Sequence, residues 1–142
     1  MIQDRAHSPA FQRFAEDLIA KDCAFTFQAH GRSMLPIIED GDLLRVEPVD
    51  PARLKLGDIV LFRAEGRLKA HRIVRRKGAR FFTRGDATVE GDGAIEREQI
   101  LGRVVAKQSE PASPLVAFTG VRARCSFLLR ELRRLMRPQR RY

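Results

Sequence analysis

The stretch that decides the fold is Asp58–Arg75, DIVLFRAEGRLKAHRIVR. Its first part, Asp58–Arg63, is rich in branched and aromatic residues, which favour a β-strand. Ala64-Glu-Gly66 follows, and a short connection that contains glycine is typical of a turn between antiparallel strands. Leu68–Arg75 then returns as the second strand. The segment therefore predicts a β-hairpin.

Four further segments on either side of this hairpin have the length and composition of strands. Turns rich in glycine, aspartate and proline separate them, as in small all-β domains. Six short strands at short spacing predict a mainly β fold, a small antiparallel sheet that is partly coiled and barrel-like. The four additional strands are predicted at Ala24–Ala29, Leu43–Val46, Ala79–Thr83 and Ile100–Lys107.

The two ends of the chain have helical patterns. Ser8–Lys21 has a capping serine, a proline at the first helical position and apolar residues at spacings of three and four. Leu115–Met136 has a similar apolar stripe and follows the linker Glu110–Pro114. We therefore expect an N-terminal helical segment (1–22), a β domain (23–108), and a linker with an amphipathic C-terminal helix (109–142).

The positive charge is concentrated at the C-terminal end. The 142 residues carry a net charge of +9, yet Val121–Tyr142 alone holds eight arginines and one glutamate. The rest of the chain is therefore nearly neutral, so we do not expect it to bind nucleic acid through a basic groove. The arginine-rich helix predicts either contact with an anionic membrane surface or packing on the domain with its arginines in water.

Several classes of protein are excluded by composition. No apolar stretch reaches the roughly 18–20 residues that a membrane-spanning helix needs, and Met1–Arg13 lacks the apolar centre of a secretion signal. Two cysteines, Cys23 and Cys125, cannot form a disulfide scaffold. We expect a cytoplasmic protein, with a peripheral position at a membrane as the alternative.

Ser33 is the first candidate for chemistry. It lies in Gly31-Arg-Ser33-Met-Leu-Pro36, directly after a predicted strand. Gly31 allows backbone conformations before Ser33 that other residues rarely adopt, and Pro36 restricts the backbone after it. Such a turn can hold the hydroxyl out of the sheet, with amide hydrogens nearby to bind an oxyanion. The alternative is an ordinary turn serine that bonds its own backbone.

His71 is the second candidate, because an imidazole accepts a proton near neutral pH without special surroundings. Side chains alternate along a strand, which places Lys69 and His71 on the same face. A lysine needs strong desolvation before it can act as a base. We therefore predict His71 as the general base and keep Lys69 in reserve, against the alternative of a merely structural histidine.

Carboxylates that could orient the base follow in Thr83-Arg-Gly-Asp86-Ala and at Asp92, six residues later. An aspartate can fix the tautomer of a histidine and stabilise its protonated form. Gly-Asp pairs are also common turn elements, so this pattern alone is weak. The three histidines and two cysteines lack metal-ligand spacing, and we expect neither a metal nor another cofactor.

Taken in order, these motifs resemble the signal peptidase I superfamily of serine peptidases. The resemblance covers about 80 residues, from Phe25 to Lys107. It rests on five boxes in sequence: Gly31-Arg-Ser-Met-Leu-Pro36, Gly41-Asp42, Gly57-Asp-Ile-Val60, His71-Arg-Ile-Val74 and Thr83-Arg-Gly-Asp86. In this superfamily the base stands directly before Arg-[Ile/Val]-Val. A histidine at that position resembles the eukaryotic, archaeal and sporulation signal peptidases, whereas most bacterial signal peptidases and the SOS-repressor peptidases have lysine.

The resemblance implies an endopeptidase with catalytic Ser33 and His71, assisted by Asp86 or Asp92. Sequence leaves that choice open, with a preference for Asp86. It also implies that the backbone amide of Ser33 binds the oxyanion, and that an extended peptide or leader sequence with small side chains is the substrate. Met34 and Leu35, with Ile37 and Phe62 as further walls, are the expected substrate contacts.

The chain departs from signal peptidases in having no predicted membrane anchor, which favours a processing peptidase over one that cleaves secretory precursors. Two other functions stay open at this point. The domain could hold peptides without cleaving them, or the chain could be an adaptor that binds a membrane or a polyanion through its basic tail.

Overall fold

The computed structural model describes residues 8–110 and 113–118. It begins with one helix, α1, at Pro9–Ala20. The Ser8 side chain accepts a hydrogen bond from the Phe11 amide at 3.1 Å, and Pro9 occupies the first turn, where no amide hydrogen is needed. The predicted N-terminal helix is therefore present, with nearly the predicted bounds.

Eight strands follow α1 along the described chain. All six predicted strands are among them, and two short ones were not predicted. The strands are β1 (Phe25–Gln28), β2 (Leu43–Glu47), β3 (Ile59–Ala64), β4 (Arg67–Lys77), β5 (Arg80–Arg84), β6 (Ala94–Ile95), β7 (Ile100–Gln108) and β8 (Val116–Ala117).

These strands form one antiparallel sheet in the order β1-β2-β7-β3-β4-β5-β6, with β8 paired to β7. The expected mainly β fold is confirmed. The sheet is bent by irregular pairings, for example where β4 shifts its register on β5 between Ile73 and Arg75. Its strand order runs from β1 to β6 without closing, so it is an open sheet rather than a barrel.

The central hairpin of the sheet is β3–β4, as the sequence predicts. Its strands pair from Ile59↔Arg72 to Ala64↔Arg67. Strand β3 is buried on both faces: Ile59 and Leu61 belong to one apolar cluster, and Val60 and Phe62 to another. Burial on both faces explains its uninterrupted apolar sequence and fixes the position of β4 next to it.

The C-terminal prediction is wrong where the structure can test it. Val116–Ala117 pair with Lys107 and Ala106 of β7, so the chain is extended where the predicted helix begins. The remainder of that helix, with its arginines, lies outside the described residues. Within residues 8–110 and 113–118, no helix is both long enough and apolar enough to cross a bilayer.

Candidate active site

Ser33 lies in the loop between β1 and β2. Gly31 has φ of +97°, a value that side-chain-bearing residues rarely adopt, and its amide donates to the Asp40 carboxylate at 2.8 Å. This bend turns the chain away from β1 immediately before Ser33. The glycine two residues before the hydroxyl is thus required by the backbone conformation.

His71 lies in the middle of β4 and faces Ser33. The distance between His71 Nε2 and Ser33 Oγ is 3.0 Å, which is within hydrogen-bond reach although the two residues are 38 positions apart. His71 is 9% exposed, and its ring packs edge-on against Phe62, with the ring centroids 6.1 Å apart. The two residues that the sequence selected are therefore adjacent in the structure.

Asp92 contacts the opposite side of the imidazole. His71 Nδ1 lies 2.5 Å from Asp92 Oδ2, and the Thr83 hydroxyl donates to the same oxygen at 3.0 Å. The Asp92 amide in turn donates to the Thr83 carbonyl at 2.9 Å. Thr83 on β5 therefore fixes the carboxylate through both its side chain and its backbone.

The structure brings Asp92 to His71, whereas Asp86, which the sequence analysis preferred as the orienting carboxylate, lies against Arg72. Asp86 accepts two hydrogen bonds from the Arg72 guanidinium, at 2.9 and 2.8 Å, and both side chains are buried. Arg72 also donates to the Gly57 carbonyl at 2.8 Å. Arg72 and His71 are neighbours on β4 and point to opposite faces, so the carboxylate that neutralises Arg72 cannot also serve His71.

The segment around Asp86 holds the serine loop from the other side. The Ala87 amide donates to the Ser33 carbonyl at 2.9 Å, and the Asp86 amide lies 3.4 Å from the Met34 sulfur. A side chain on Gly85 would bring its Cβ within 2.5 Å of the Ser33 carbonyl oxygen. The Gly85-Asp86 box thus has a positioning role: the buried Arg72–Asp86 pair anchors a backbone that packs directly against the Ser33 loop.

Gly85→Ala is expected to displace the Ser33 loop, because the new methyl would collide with backbone rather than with a flexible side chain. We expect about 1–3 kcal/mol lower unfolding stability, measured by denaturant titration. Gly91→Ala is the matched control, since its Cβ would meet the Thr83 carbonyl at 3.3 Å and the Gly93 amide nitrogen at 4.0 Å, neither of which belongs to the Ser33 loop. Equal effects of the two substitutions would contradict a special contact between Gly85 and Ser33.

Lys69, the reserve base, occupies the same face of β4 as His71. Its Nζ atom lies 3.7 Å from Asp92 Oδ1 and 3.5 Å from Glu65 Oε2. The ammonium group is thus paired with two carboxylates.

The pKa of Asp92 is lowered from its ordinary value. Burial by itself raises it, but the hydrogen bond from His71, the positive charge of that ring, the Thr83 hydroxyl and the charge of Lys69 together outweigh burial. Asp92 is therefore a carboxylate at neutral pH, as an imidazole partner requires.

A cleft of about 280 Å³ opens beside Ser33 and His71. The end of β1 and the first half of β4 form its two sides, and its lining is mostly apolar. Met34 lines it as expected, whereas Leu35 and Ile37 do not. Phe62, which was also expected as a wall, is fully buried in the core and does not line the cleft. The lining residues are Phe27, Gln28, Ala29, His30, Gly31, Ser33, Met34, Ile38, Leu68, Lys69, Ala70 and His71.

Both sides of this cleft are strand edges. Strand β1 ends the strand order of the sheet. Strand β5 pairs with β4 only from Arg72 onwards, so Arg67–His71 bond to β3 alone among the described strands. Free edges of this kind can add an extended chain through main-chain hydrogen bonds.

A model of the Peptidase S24-like family matches residues 3–105. The chain belongs to this family. A comparison with curated proteins finds no significant match. Membership in the S24-like family confirms the expected superfamily of signal peptidase I-like proteins, and it agrees with the mainly β fold.

The S24-like family includes repressors that use a serine and a lysine. In this member an imidazole lies beside the serine hydroxyl, and the nearby Lys69 forms ion pairs with two carboxylates. Within the described residues, no group of histidine, cysteine and acidic side chains has the arrangement of a metal site. The site thus has an alcohol, an imidazole and a carboxylate in line, with the Lys69 ammonium group beside the carboxylate.

Two contributions to this site were not predicted from the sequence. The first is the hydrogen bond from Thr83 to Asp92. A threonine on the buried face of a strand needs a hydrogen-bond partner, but the sequence does not show which residue that partner is. The second is the ion pair between Arg72 and Asp86. An arginine among the apolar residues of a central strand likewise predicts a buried carboxylate nearby. In the structure that carboxylate is Asp86.

Proposed function

We propose that the protein is a serine endopeptidase that uses Ser33 as nucleophile, His71 as general base and Asp92 as the carboxylate that orients the base. The observation that carries this proposal is the continuous hydrogen-bond chain Ser33–His71–Asp92, with distances of 3.0 and 2.5 Å. Among its S24-like relatives it would belong to the members that use histidine rather than lysine as the base.

The proposed reaction begins with the tautomer of His71. Asp92 accepts the Nδ1 hydrogen, so the lone pair of Nε2 is directed at the Ser33 hydroxyl. His71 takes the hydroxyl proton as Oγ attacks the peptide carbonyl, and then gives it to the leaving amine. An acyl-enzyme on Ser33 remains. Water that loses its proton to Nε2 hydrolyses this ester and restores both side chains.

The backbone amide of Ser33 is the proposed donor to the oxyanion. Among the described residues it has no hydrogen-bond acceptor, whereas the Ser33 carbonyl is bonded to Ala87. The carbonyl of the same peptide unit, that of Arg32, accepts from the Leu35 amide at 3.2 Å, which keeps the unit in place while the Ser33 amide is left to a ligand. An amide fixed in this way stabilises a developing negative charge without reorganisation.

The proposed substrate is an extended peptide that lies between β1 and the first half of β4. Main-chain hydrogen bonds to the two strand edges would provide affinity, and the apolar wall formed by Ala29, Met34, Leu68 and Ala70 would select uncharged side chains. The scissile carbonyl would then lie at Ser33, at one side of the cleft.

The alternative is a module on the same fold that binds peptides without cleaving them. Such a module needs the cleft but has no use for a buried carboxylate bonded to an imidazole. Asp92 has only 10% of its side chain exposed, and burying a charged group is costly unless it serves a partner. The contact from Asp92 to His71, and from His71 to Ser33, therefore favours turnover over binding alone.

The test is incubation of the purified full chain with a panel of unstructured peptides that contain small or apolar residues, followed by mass spectrometry of the products. We expect cleavage at discrete sites by the native sequence, with one new amino terminus for each cut. Tight peptide binding without any product, across the panel and across neutral to alkaline pH, would favour the binding module instead.

A further inference from the structure

The two sides of the cleft are far apart in the order of the sheet. Strands β2, β7 and β3 lie between β1 and β4, so within the described sheet no ladder of hydrogen bonds joins the two sides directly. Both strands run towards Ser33, where the contact between Ser33 and His71 connects them. Their other ends, at Phe27 and Leu68, form the far end of the cleft. The spacing of the two sides at this far end depends on a second support.

Helix α1 contacts both sides at the far end. Its Phe11 ring packs against the Phe27 ring of β1, with the ring centroids 6.3 Å apart. The side-chain amide of the next residue, Gln12, donates to the Gly66 carbonyl in the β3–β4 turn at 2.8 Å. Gln12 is only 9% exposed, and a buried side-chain amide needs such a partner. The helix therefore connects the β1 side of the cleft to the β4 side.

The turn that Gln12 contacts has an unusual backbone. Glu65 and Gly66 form the connection between β3 and β4, and both have positive φ, of +54° and +71°. Two such residues are typical of a type I′ turn, but a glutamate rarely adopts this left-handed conformation unless its surroundings impose it. The bond from Gln12 is one constraint on the hairpin. The ion pair between Glu16, one helical turn further along α1, and Arg63 of β3 is another.

We propose that α1 fixes the width of the far end of the cleft, and that Gln12 is the positioning residue through which it holds β4. The inference rests on the proposed function. Between His71 and Arg67 the strand rises by about 13 Å, the length of about four residues of an extended peptide. A peptide of that length would bond to main-chain groups that α1 keeps in place. The bond to be cleaved lies at Ser33, so α1 would act on the binding of long peptides and not on the chemical step.

The test is the Gln12→Leu variant, which keeps a side chain of similar size and removes the hydrogen-bond donor. A cleaved peptide of the panel is lengthened one residue at a time on the side that enters the cleft, and kcat and KM are measured for each length. We expect KM of the peptides that span the cleft to rise about fivefold. KM of the shortest peptide, and kcat of all of them, should stay within about twofold. An unchanged KM, or an equal rise for short and long peptides, would overturn the inference.

Gln108→Leu is the matched control, because it removes the same kind of bond at another place. The Gln108 side-chain amide donates to the Ser113 carbonyl, beside β8 and away from the cleft. Its KM values should equal those of the native sequence, and a similar length-dependent rise would overturn the role of Gln12. Should Gln12→Leu fail to fold, Glu16→Ala removes only the more exposed contact and should raise KM of the long peptides about two- to threefold.

A second measurement separates this inference from the proposed function. Hydrogen–deuterium exchange of backbone amides reports opening of the β3–β4 hairpin whether or not the protein cleaves peptides. In Gln12→Leu, the amides of Arg67–Ala70 that bond to β3 should exchange about five- to tenfold faster, while those of β2 and β7 keep their native rates. Native rates at the hairpin, or faster exchange throughout the sheet, would contradict the role of α1. Faster exchange confined to the hairpin, in a protein that cleaves no peptide, would contradict only the peptidase.

Discussion

Replacing Ser33 by alanine is expected to lower peptide cleavage by at least about 10⁴-fold, because the proposed acyl intermediate forms on its hydroxyl. Within the described part of the chain, the Ser33 side chain makes a single hydrogen bond, to His71, and the loop is held by backbone contacts through the Ser33 carbonyl. Unfolding stability should therefore change by less than about 1 kcal/mol. Initial rates on a cleaved peptide, with denaturant titration of both proteins, measure the two effects.

Ser113→Ala is the matched control for this substitution, since Ser113 lies in the segment before β8 and should leave the rate unchanged. The wild-type rate in Ser33→Ala would contradict the nucleophile assignment. A parallel loss of folding and activity would be resolved by Ser33→Thr, which keeps a hydroxyl and the loop but crowds the cleft.

Asp92→Asn is expected to reduce kcat by about 10³-fold. The amide can offer a hydrogen to Nδ1, which favours the tautomer that carries its proton on Nε2. In that tautomer the imidazole cannot take the proton of Ser33. The negative charge that stabilises the protonated ring is also lost.

The same substitution should have a characteristic effect on stability. Because the folded pKa of Asp92 is lowered, its carboxylate stabilises the fold above the unfolded pKa, and this contribution is lost as the pH falls through the folded pKa. Asp92→Asn should thus be destabilised at pH 7, and the difference should shrink in acid. Glu90→Gln, an exposed carboxylate change in the same loop, is the control. A kcat effect of Asp92→Asn no larger than that of the control would contradict the assignment of Asp92.

Most of the fold could be predicted because the strands are local patterns. The continuous apolar run of β3 reflects burial on both faces, and Ser8-Pro9 specifies the start of α1 by capping chemistry. Strands β6 and β8 have only two residues each, too few for alternation to be visible. Strand β8 forms because β7 offers it a partner, which is a tertiary effect that the helical spacing of the following sequence concealed.

The residue types of the candidate site could be predicted, but which aspartate contacts His71 could not. The sequence placed Asp86 and Asp92 after the same strand, and nothing local distinguishes them. The choice depends on which face of β4 each loop residue reaches, since Arg72 and His71 face opposite ways. Arg72 forms an ion pair with Asp86. The hydroxyl of Thr83 donates to Asp92 and so helps to keep it next to the imidazole. Such partner selection is decided by the packed sheet.

The central claim is that Ser33 becomes acylated by the peptide it cleaves. The most direct test is to mix the protein with an activated ester of a cleaved peptide, quench with acid within the first turnovers, and locate the adduct by mass spectrometry after digestion. The account predicts one acyl group on Ser33, absent in Ser33→Ala and strongly reduced in His71→Ala. Turnover of the same ester with no adduct on Ser33, at an equal rate in Ser33→Ala, would contradict it.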